Sequence, residues 1–342
     1  MLRFLVAKFL RVIAVLLGAT LIMFLLMHAI PGNPWDNYSS NPRIMVGLSI
    51  DKPMQLALER RFGLDLPLWR QYTRYIVGDF NKDGSFTCGV VCGNLGPSIM
   101  QRGRSVEDIL FEPPEEKGFW QSRFGYSMRL VLLGSLIAVG LGIPLGILSA
   151  ITPRRAVSHG ISFGLAGMIS IPNFVLGLLA IIVLASWLGI TKVLPDWSQP
   201  SSWIVPAVVL AIMPMASIAR VTRASLINIL NEDYIRTARS KGLTETSVLL
   251  VHMLRNALAP ILTFTGPILM EMFIGLLIIE NLYAFPGFGS EYWRSVINLD
   301  YPEIMGLTLI YAIGIVLINL VIEVVCQILD PRLRRTRYEG IP

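Results

Sequence analysis

Long apolar runs without charged residues alternate with short polar connections along most of the chain. About six of these runs approach the ~20 residues that an α-helix needs to cross a hydrocarbon layer of ~30 Å. They cover residues 12–30, 130–151, 161–190, 203–219, 258–279 and 304–329. The pattern therefore predicts an all-α membrane protein with about six transmembrane helices.

The first apolar run follows a basic start at Arg3, Lys8 and Arg11. This arrangement is similar to a secretory signal, but the run is longer than the ~7–15 apolar residues of a cleaved signal. We therefore expect residues 1–30 to form an uncleaved signal-anchor helix.

The basic residues of the short connections predict the orientation of the chain, because positively charged short loops stay on the cytoplasmic side. Both termini are then cytoplasmic, and residues 31–127 form an extracytoplasmic insertion after the first helix. The basic residues are Arg154 and Arg155 after the second run, Arg220, Arg223, Arg236, Arg239, Lys241 and Arg255 after the fourth, and Arg332, Arg334, Arg335 and Arg337 after the sixth.

The insertion is predicted to be a small folded segment. Apolar residues at helical spacing predict helices over residues 54–62 and 68–77. Cys88 and Cys92 stand in what should be an oxidising compartment, so the residues leave open a disulfide-closed loop or two free thiols. Neither alternative implies catalysis.

Composition and motifs argue against a soluble protein and against an enzyme. Hydrophobic residues make up 54% of the chain and charged residues 15%, whereas soluble domains carry about 25% charged residues. The net charge of +6 is explained by membrane topology, so no nucleic-acid partner is predicted. His-Glu-x-x-His, Gly-x-Ser-x-Gly and phosphate-loop patterns are all missing from the sequence. We predict no catalytic residue, no metal site and no bound cofactor, and any ATP energy must come from a partner.

Prolines interrupt several apolar runs. A single proline usually does no more than kink a helix, but in lipid such breaks persist beside other helices or water-lined cavities, and transporters use them along substrate paths. Together they favour a transporter over a membrane anchor. They are Pro144, Pro172, Pro206, Pro214, Pro260 and Pro267.

Polar groups within the apolar runs are the candidates for a substrate path, because ionisable groups are costly inside a bilayer. Glu271 lies in the fifth run, Glu280 at its outer end and Glu323 towards the inner end of the sixth. For Glu280, interfacial solvation is the simpler interpretation. We select Glu271, Asn281 and Asn319 as path residues, and a proton-coupled carrier that uses the carboxylates remains an alternative.

Residues 231–260, between the fourth and fifth runs, predict a helix–glycine–helix elbow. Asp233 can cap a helix over residues 234–241, Gly242 supplies a left-handed stop, and Thr244 can cap the next helix.

An apolar ridge on this elbow would suit a groove on a partner protein or a layer of anionic headgroups. The ridge consists of Tyr234, Ile235 and Ala238, with Arg236, Arg239 and Lys241 on other faces.

The elbow resembles the cytoplasmic Glu-Ala-Ala-x-x-x-Gly motif of binding-protein-dependent ABC importer permeases. Ala238 and Gly242 match the second Ala and the Gly, whereas Arg236 and Thr237 replace the Glu and the first Ala. The string Ile-Arg-Thr-Ala-Arg-Ser-Lys-Gly-Leu is similar to the form found in the oligopeptide, dipeptide and nickel permease branch.

Further motifs extend this resemblance over nearly the whole chain. They are Pro31-Gly32-Asn33-Pro34, Arg61-Phe62-Gly63-Leu64-Asp65, Gly93-Asn94-Leu95-Gly96-Pro97-Ser98, Ser217-Ile218-Ala219-Arg220-Val221-Thr222-Arg223, Glu280-Asn281-Leu282-Tyr283, Pro286-Gly287-Phe288-Gly289 and Asp330-Pro331-Arg332.

The resemblance implies a type I ABC importer permease fold in a bacterial or archaeal inner membrane. Its parts would be the anchor helix 1–30, the insertion 31–127 and a permease core 128–342 that includes a coupling loop at 220–257. The expected partners are a homologous second permease subunit, two ABC ATPase subunits that bind ATP and Mg, and an extracytoplasmic substrate-binding protein. The coupling residues that the resemblance implies are Tyr234, Ile235, Arg236, Ala238, Arg239, Lys241 and Gly242.

The same resemblance implies peptides, nickel or oligosaccharides as substrates. Peptides rank first, because a nickel path would favour clustered imidazoles and the three histidines lie in separate segments. Oligosaccharides rank second. A secondary carrier that works without an ATPase is the alternative from a different class.

Overall fold

The computed structural model describes residues 2–30, 53, 56, 59, 60, 62–80, 85–101, 103–114, 118–192 and 195–329. Contacts divide the chain into two compact units. Unit 1 comprises Met1–Tyr126 and Pro286–Gly314, and unit 2 comprises Ser127–Phe285 and Ile315–Pro342. The sequence-based division places residues 286–314 in the permease core, whereas their contacts group them with the segment that follows the first helix.

Unit 1 contains a long first helix, short helices and a small hairpin. Its hairpin is antiparallel and pairs Gly78 with Cys88 and Phe80 with Phe86. The helix predicted over 68–77 is confirmed. The elements are α1 Leu2–Ala29, α2 Leu68–Ile76, β1 Gly78–Phe80, β2 Phe86–Cys88 and α3 Val106–Phe111.

Several predicted features lie outside the described residues. These are the Pro31-Gly32-Asn33-Pro34 and Asp330-Pro331-Arg332 motifs, the basic run at 332–337, and most of the helix predicted over 54–62.

The other apolar runs lie in the helices after residue 122, most of which belong to unit 2. Two segments have π-helical geometry, Ile181–Trp187 after α6 and Val248–Leu254 after α9. The helices are α4 Arg123–Ile151, α5 Arg155–Ser170, α6 Asn173–Ala180, α7 Ile204–Leu230, α8 Asp233–Ser240, α9 Glu245–Ser247, α10 Arg255–Leu282, α11 Phe288–Asn298 and α12 Tyr301–Leu329.

Within the described ranges, five helices are long and apolar enough to span a membrane, and a bent pair provides a sixth candidate. The expected all-α membrane fold is therefore confirmed. The single third helix predicted over 161–190 is wrong, because α5 and the segment Asn173–Trp187 meet at 95°. Pro172 explains the break: a proline disfavours helical geometry in the preceding residue, and Ile171 is extended.

Close helix packing in unit 2 depends on small residues. A Cβ on Gly146 would lie 2.5 Å from the carbonyl oxygen of Ala219, and a Cβ on Gly142 would lie 2.8 Å from that of Met215. Glycines four residues apart allow membrane helices to approach closely. They bring α4 against α7, the helix that leads into the elbow.

Candidate functional site

The elbow predicted between the fourth and fifth runs is present. It consists of α8 and α9, joined at Gly242, which has a φ of +77° and so adopts the left-handed conformation that glycine tolerates best. The Thr244 hydroxyl accepts a hydrogen bond from the Ser247 amide at 3.4 Å, as expected for an N-cap.

The predicted role of Asp233 as the N-cap of α8 is wrong. Helix α8 begins at Asp233 itself, and Glu232 occupies the capping position without a side-chain capping bond. Asp233 lies in the first turn, where a carboxylate interacts favourably with the helix dipole, and its Oδ1 lies 3.6 Å from Nη1 of Arg236.

The apolar ridge of the elbow faces the interior of unit 2. Ile235 is fully buried and Ala238 is 6% exposed, and both pack in one cluster with Leu226, Val248 and Met253. The expectation that these two side chains form an exposed docking ridge is therefore wrong. An apolar face that can be covered by nearby helices of its own chain is buried there, because this removes it from water.

Polar and basic residues form the exposed face of the elbow. Arg236, Arg239, Lys241 and Gly242 are exposed. Tyr234 is 40% exposed, and its hydroxyl oxygen lies 3.2 Å from Nδ2 of Asn256. A partner at this surface would meet guanidinium and ammonium groups, which form charge-assisted hydrogen bonds with carboxylates.

The elbow is continuous with the helices on both sides of it. Leu226 at the end of α7 and Ala257 and Ile261 in α10 belong to the same buried cluster as Ile235. The π-helical segment Val248–Leu254 connects α9 to α10, and such segments are often found at functional sites. Movement of α8 would therefore be transmitted to α7 and α10.

The three predicted substrate-path residues are exposed but do not converge. Glu271 and Asn281 lie on α10, and Asn319 lies on α12. No hydrogen bond within the described part of the chain joins any two of them. The structure thus provides no grouped site from these residues.

Glu280 is buried, so the interpretation of interfacial solvation is wrong. Its exposure is 0%, and its carboxylate accepts a hydrogen bond from the Ser127 hydroxyl on α4. A polar partner on a neighbouring helix lowers the cost of placing this carboxylate away from water.

The segment that follows the first helix contains a disulfide between Cys88 and Cys92, whose Cα atoms are 5.9 Å apart. The disulfide joins the last residue of β2 to the last residue of a short 3₁₀ helix, Val90–Cys92. Across the described residues, no group of three His, Cys, Asp or Glu side chains is positioned to hold a metal ion.

Sequence reasoning missed a group of buried charges in unit 1. Glu291 and Asp300 are 2% and 0% exposed, and Arg123 pairs with Glu291. In the sequence, Glu291 and Asp300 stand just before the last apolar run. Charged residues at the end of such a run are usually solvated, so this position did not indicate burial.

Comparison with known families identifies the chain. The family model described as binding-protein-dependent transport system inner membrane component matches residues 142–335. A second model, which describes the N-terminal part of such membrane components, matches residues 1–114. The chain belongs to this permease family. The match confirms the membership of the ABC importer permease family that the elbow motif implied.

Two relatives match the permease over nearly the whole length of both chains. It is 31% identical over 339 residues to the oligopeptide transport system permease protein AppB of Bacillus subtilis, with 96% of this chain and 98% of the relative covered. It is 33% identical over 337 residues to the dipeptide transport system permease protein DppB of Bacillus subtilis, with 98% of each covered.

A solved structure has a similar fold. A chain of the inward-facing MetNI methionine ABC transporter matches the permease with a TM-score of 0.51 and 16% identity, covering 60% of the permease and 93% of that chain. This likeness shows the fold alone.

Proposed function

We propose that this permease is a subunit through which peptides cross the membrane in an ATP-driven importer. The observation that carries the proposal is the near-full-length similarity to relatives named as oligopeptide and dipeptide permeases. The elbow supports it, because a chain without a phosphate loop needs a surface through which partner ATPases can act.

The complex would contain a homologous second permease subunit, two ABC ATPase subunits and an extracytoplasmic substrate-binding protein. ATP and Mg would bind to the ATPase subunits and not to this chain. The distribution of arginines supports cytoplasmic termini and a cytoplasmic elbow. Oligosaccharides and nickel remain the alternative substrates within this family.

The elbow would transmit force as a rigid lever. Partner ATPases would contact the exposed face through Tyr234, Arg236, Arg239, Lys241 and the turn at Gly242. Buried Ile235 and Ala238 would pass the movement to α7 and α10, and the helices would then rock between inward-facing and outward-facing arrangements.

Charge reversal on the exposed face tests this proposal. We expect the double variant Arg236→Glu and Lys241→Glu to insert normally but to reduce peptide uptake and peptide-stimulated ATP hydrolysis about tenfold, which corresponds to 1.4 kcal/mol of lost docking free energy. Arg155→Glu is the matched control, because Arg155 is also exposed and basic but begins α5 instead of the elbow. Unchanged uptake in the double variant would contradict the lever.

The competing class, a secondary carrier, makes a different prediction for the intact complex. Purification in mild detergent should bring ATPase subunits with the permease, and uptake of a labelled tripeptide should stop when those ATPases carry inactivating substitutions. Uptake that continues without ATP hydrolysis would identify a carrier. Uptake of nickel or an oligosaccharide in place of the tripeptide would change the substrate but not the class.

A further inference from the structure

The apolar spans of α1 and α12 meet at one level of unit 1. The candidate span of α1 ends at Ala29, and that of α12 begins at Tyr301. The ring centroids of His28 and Tyr301 are 5.4 Å apart, so the end of one span lies beside the start of the other. This level is therefore a boundary between the hydrocarbon layer and the headgroups.

The basic start of α1 supports this position of the boundary. Arg11 is the last basic residue before the apolar run, and a basic side chain near the end of a span extends to the headgroups. At 1.5 Å per residue, the helix axis from Arg11 to His28 covers about 26 Å, close to the ~30 Å of a hydrocarbon layer. His28 therefore lies near the boundary opposite to the one that Arg11 marks.

Helix α2 is attached to α1 at this boundary. The side-chain oxygen of Gln71 lies 3.1 Å from Nε2 of His28, and the Tyr72 ring packs on Phe24 with centroids 5.5 Å apart. The Tyr72 hydroxyl extends further along α1 and donates a hydrogen bond to the Leu17 carbonyl at 3.0 Å. These contacts hold α2 at the level of the headgroups.

The face of α2 that points away from α1 is largely apolar and exposed. Trp69, Thr73 and Val77 recur every four residues, so they share one face of the helix. Trp69 is 69% exposed and Val77 is 55% exposed. The Thr73 hydroxyl donates to the Arg70 carbonyl at 3.1 Å, so the polar group on this face is already satisfied.

The β1–β2 hairpin extends this apolar face. Phe80 and Phe86 are both exposed, and their ring centroids are 5.1 Å apart. A Cβ on Gly78 would lie 2.9 Å from Cζ of Phe86, so the Phe86 ring lies over the residue that follows Val77. We call Trp69, Val77, Phe80 and Phe86 the aromatic surface.

The backbone beneath the aromatic surface is compatible with lipid, because backbone groups in contact with hydrocarbon have to be paired within the protein. The Val77 amide donates to the Thr73 carbonyl at 2.8 Å, and the Gly89 amide donates to the Val77 carbonyl at 3.1 Å. Gly78 pairs with Cys88 in the antiparallel ladder. Contact with acyl chains would therefore leave these groups satisfied.

Charged groups beside the aromatic surface fit the headgroup layer. Nη2 of Arg70 lies 3.3 Å from Oδ2 of Asp79, and the Arg70 side chain is substantially exposed. Tryptophan is enriched at the boundary of a membrane, and basic side chains on a helix at that boundary interact with anionic headgroups. Arg70 follows Trp69 directly, so the two side chains suit this layer together.

We propose that the aromatic surface is inserted into the leaflet at the C-terminal end of α1, with Trp69 and Phe80 among the upper acyl chains and Arg70 at the phosphates. The partner is phospholipid, because α2 is attached to α1 at the level where the two apolar spans meet. Unit 1 is then held in the membrane by this surface as well as by its spans. The inference does not depend on the substrate of the importer.

Lipid quenching tests this assignment in the complete importer reconstituted in nanodiscs. In a Cys326→Ser background, Trp69→Cys and Phe80→Cys are labelled with bimane, and fluorescence is compared in phosphatidylcholine with and without bromine on the upper acyl chains. Because a side chain ~5–10 Å inside the boundary contacts those bromines, fluorescence at both positions should fall at least about twofold. Glu112→Cys is the control, because the Glu112 side chain is charged and 63% exposed in the same unit; bimane there should remain unquenched.

Each other outcome overturns the proposal. Labels at positions 69 and 80 that bromine does not quench exclude contact with lipid. If addition of the substrate-binding protein then shields those labels from iodide, the surface is a docking site for that protein instead. Equal quenching at position 112 would show that the label itself enters the lipid. If Trp69→Cys does not fold, Val77→Cys removes less side-chain volume and gives the same readout, and an unquenched label there also excludes lipid contact.

Discussion

Arg239 and Glu245 form a two-point ion pair across the turn at Gly242. Nε of Arg239 donates to Oε1 at 2.9 Å, and Nη2 donates to Oε2 at 3.1 Å. Arg239 belongs to α8 and Glu245 to α9, so the pair holds the two parts of the elbow at a defined angle. Both side chains are substantially exposed, at 41% and 74%, and an exposed pair stabilises a protein by no more than ~1 kcal/mol. We conclude that the pair orients the elbow more than it stabilises the fold.

Breaking this ion pair should weaken coupling moderately. Arg239→Gln and Glu245→Gln should each lower peptide-stimulated ATP hydrolysis by up to about fivefold, the ratio that ~1 kcal/mol produces. The double variant should lose little more than either single variant, since each removes the same contact. Assays of the purified complex at low salt measure this, and additive losses would show that the two residues act separately.

The left-handed turn at Gly242 should distinguish among substitutions. Proline cannot adopt a φ of +77°, so Gly242→Pro should abolish coupled ATP hydrolysis without affecting insertion. Asparagine tolerates the left-handed region, and no atom lies within 4 Å of a Cβ added there, so Gly242→Asn should retain most activity. The ratio of ATP hydrolysis with and without peptide is the measurement, and equal activity of the two variants would contradict this account.

The buried side of the elbow should be sensitive to packing changes. Ile235→Ala should lower the free energy of unfolding by about 2–5 kcal/mol, because it leaves a cavity in a fully buried cluster. Ala238→Trp should overpack the same cluster and lower the melting temperature in detergent. Thr237→Ala, a change on the exposed side, is the control. An Ala238→Trp variant with unchanged melting temperature but no ATPase binding would restore the docking role first expected for Ala238.

Tyr283 should contribute stability that depends on pH. Its hydroxyl donates a hydrogen bond to the Gly177 carbonyl at 3.1 Å, and burial raises the pKa of Tyr283 from 10.0 to about 12. As the pH rises, the Tyr283 hydroxyl loses its proton in the unfolded chain before it does so in the folded chain. Its contribution to the free energy of unfolding is therefore complete below pH ~10 and declines towards pH ~12. Tyr283→Phe should lower the free energy of unfolding by about 1 kcal/mol at neutral pH. Between pH ~10 and ~12, the free energy of unfolding of this variant should fall less than that of the wild type. Unfolding in detergent at several pH values measures both effects, and parallel curves would contradict this account.

The disulfide between Cys88 and Cys92 predicts reduction-dependent labelling. In a Cys326→Ser background, a thiol reagent should modify neither remaining cysteine until a reductant is added, as mass spectrometry can detect. Closing so short a loop contributes about 2 kcal/mol in the chain-entropy model, so replacing both cysteines with serine should lower the thermal stability modestly. Complete labelling without reductant would show that both thiols are free.

Local patterns predicted much of the fold and part of the candidate site. The lengths of the apolar runs predicted the membrane helices, and Gly242 and Thr244 predicted the turn and second cap of the elbow. These features depend on residues close together in the chain. The break at Ile171 could also have been predicted, because Pro172 restricts the residue before it, but the apolar run continues across the break and hides it.

The sequence by itself determined the class of this protein: a membrane permease with a helix–glycine–helix elbow between two of its apolar runs. Only the tertiary structure decided which face of the elbow is exposed, since Ile235 is buried by residues as distant as Ile261. It also brought Gln101, Glu291 and Glu303 around one cavity. The physical reason is that run length and turn chemistry are local properties, whereas burial and charge pairing depend on which distant segments pack together.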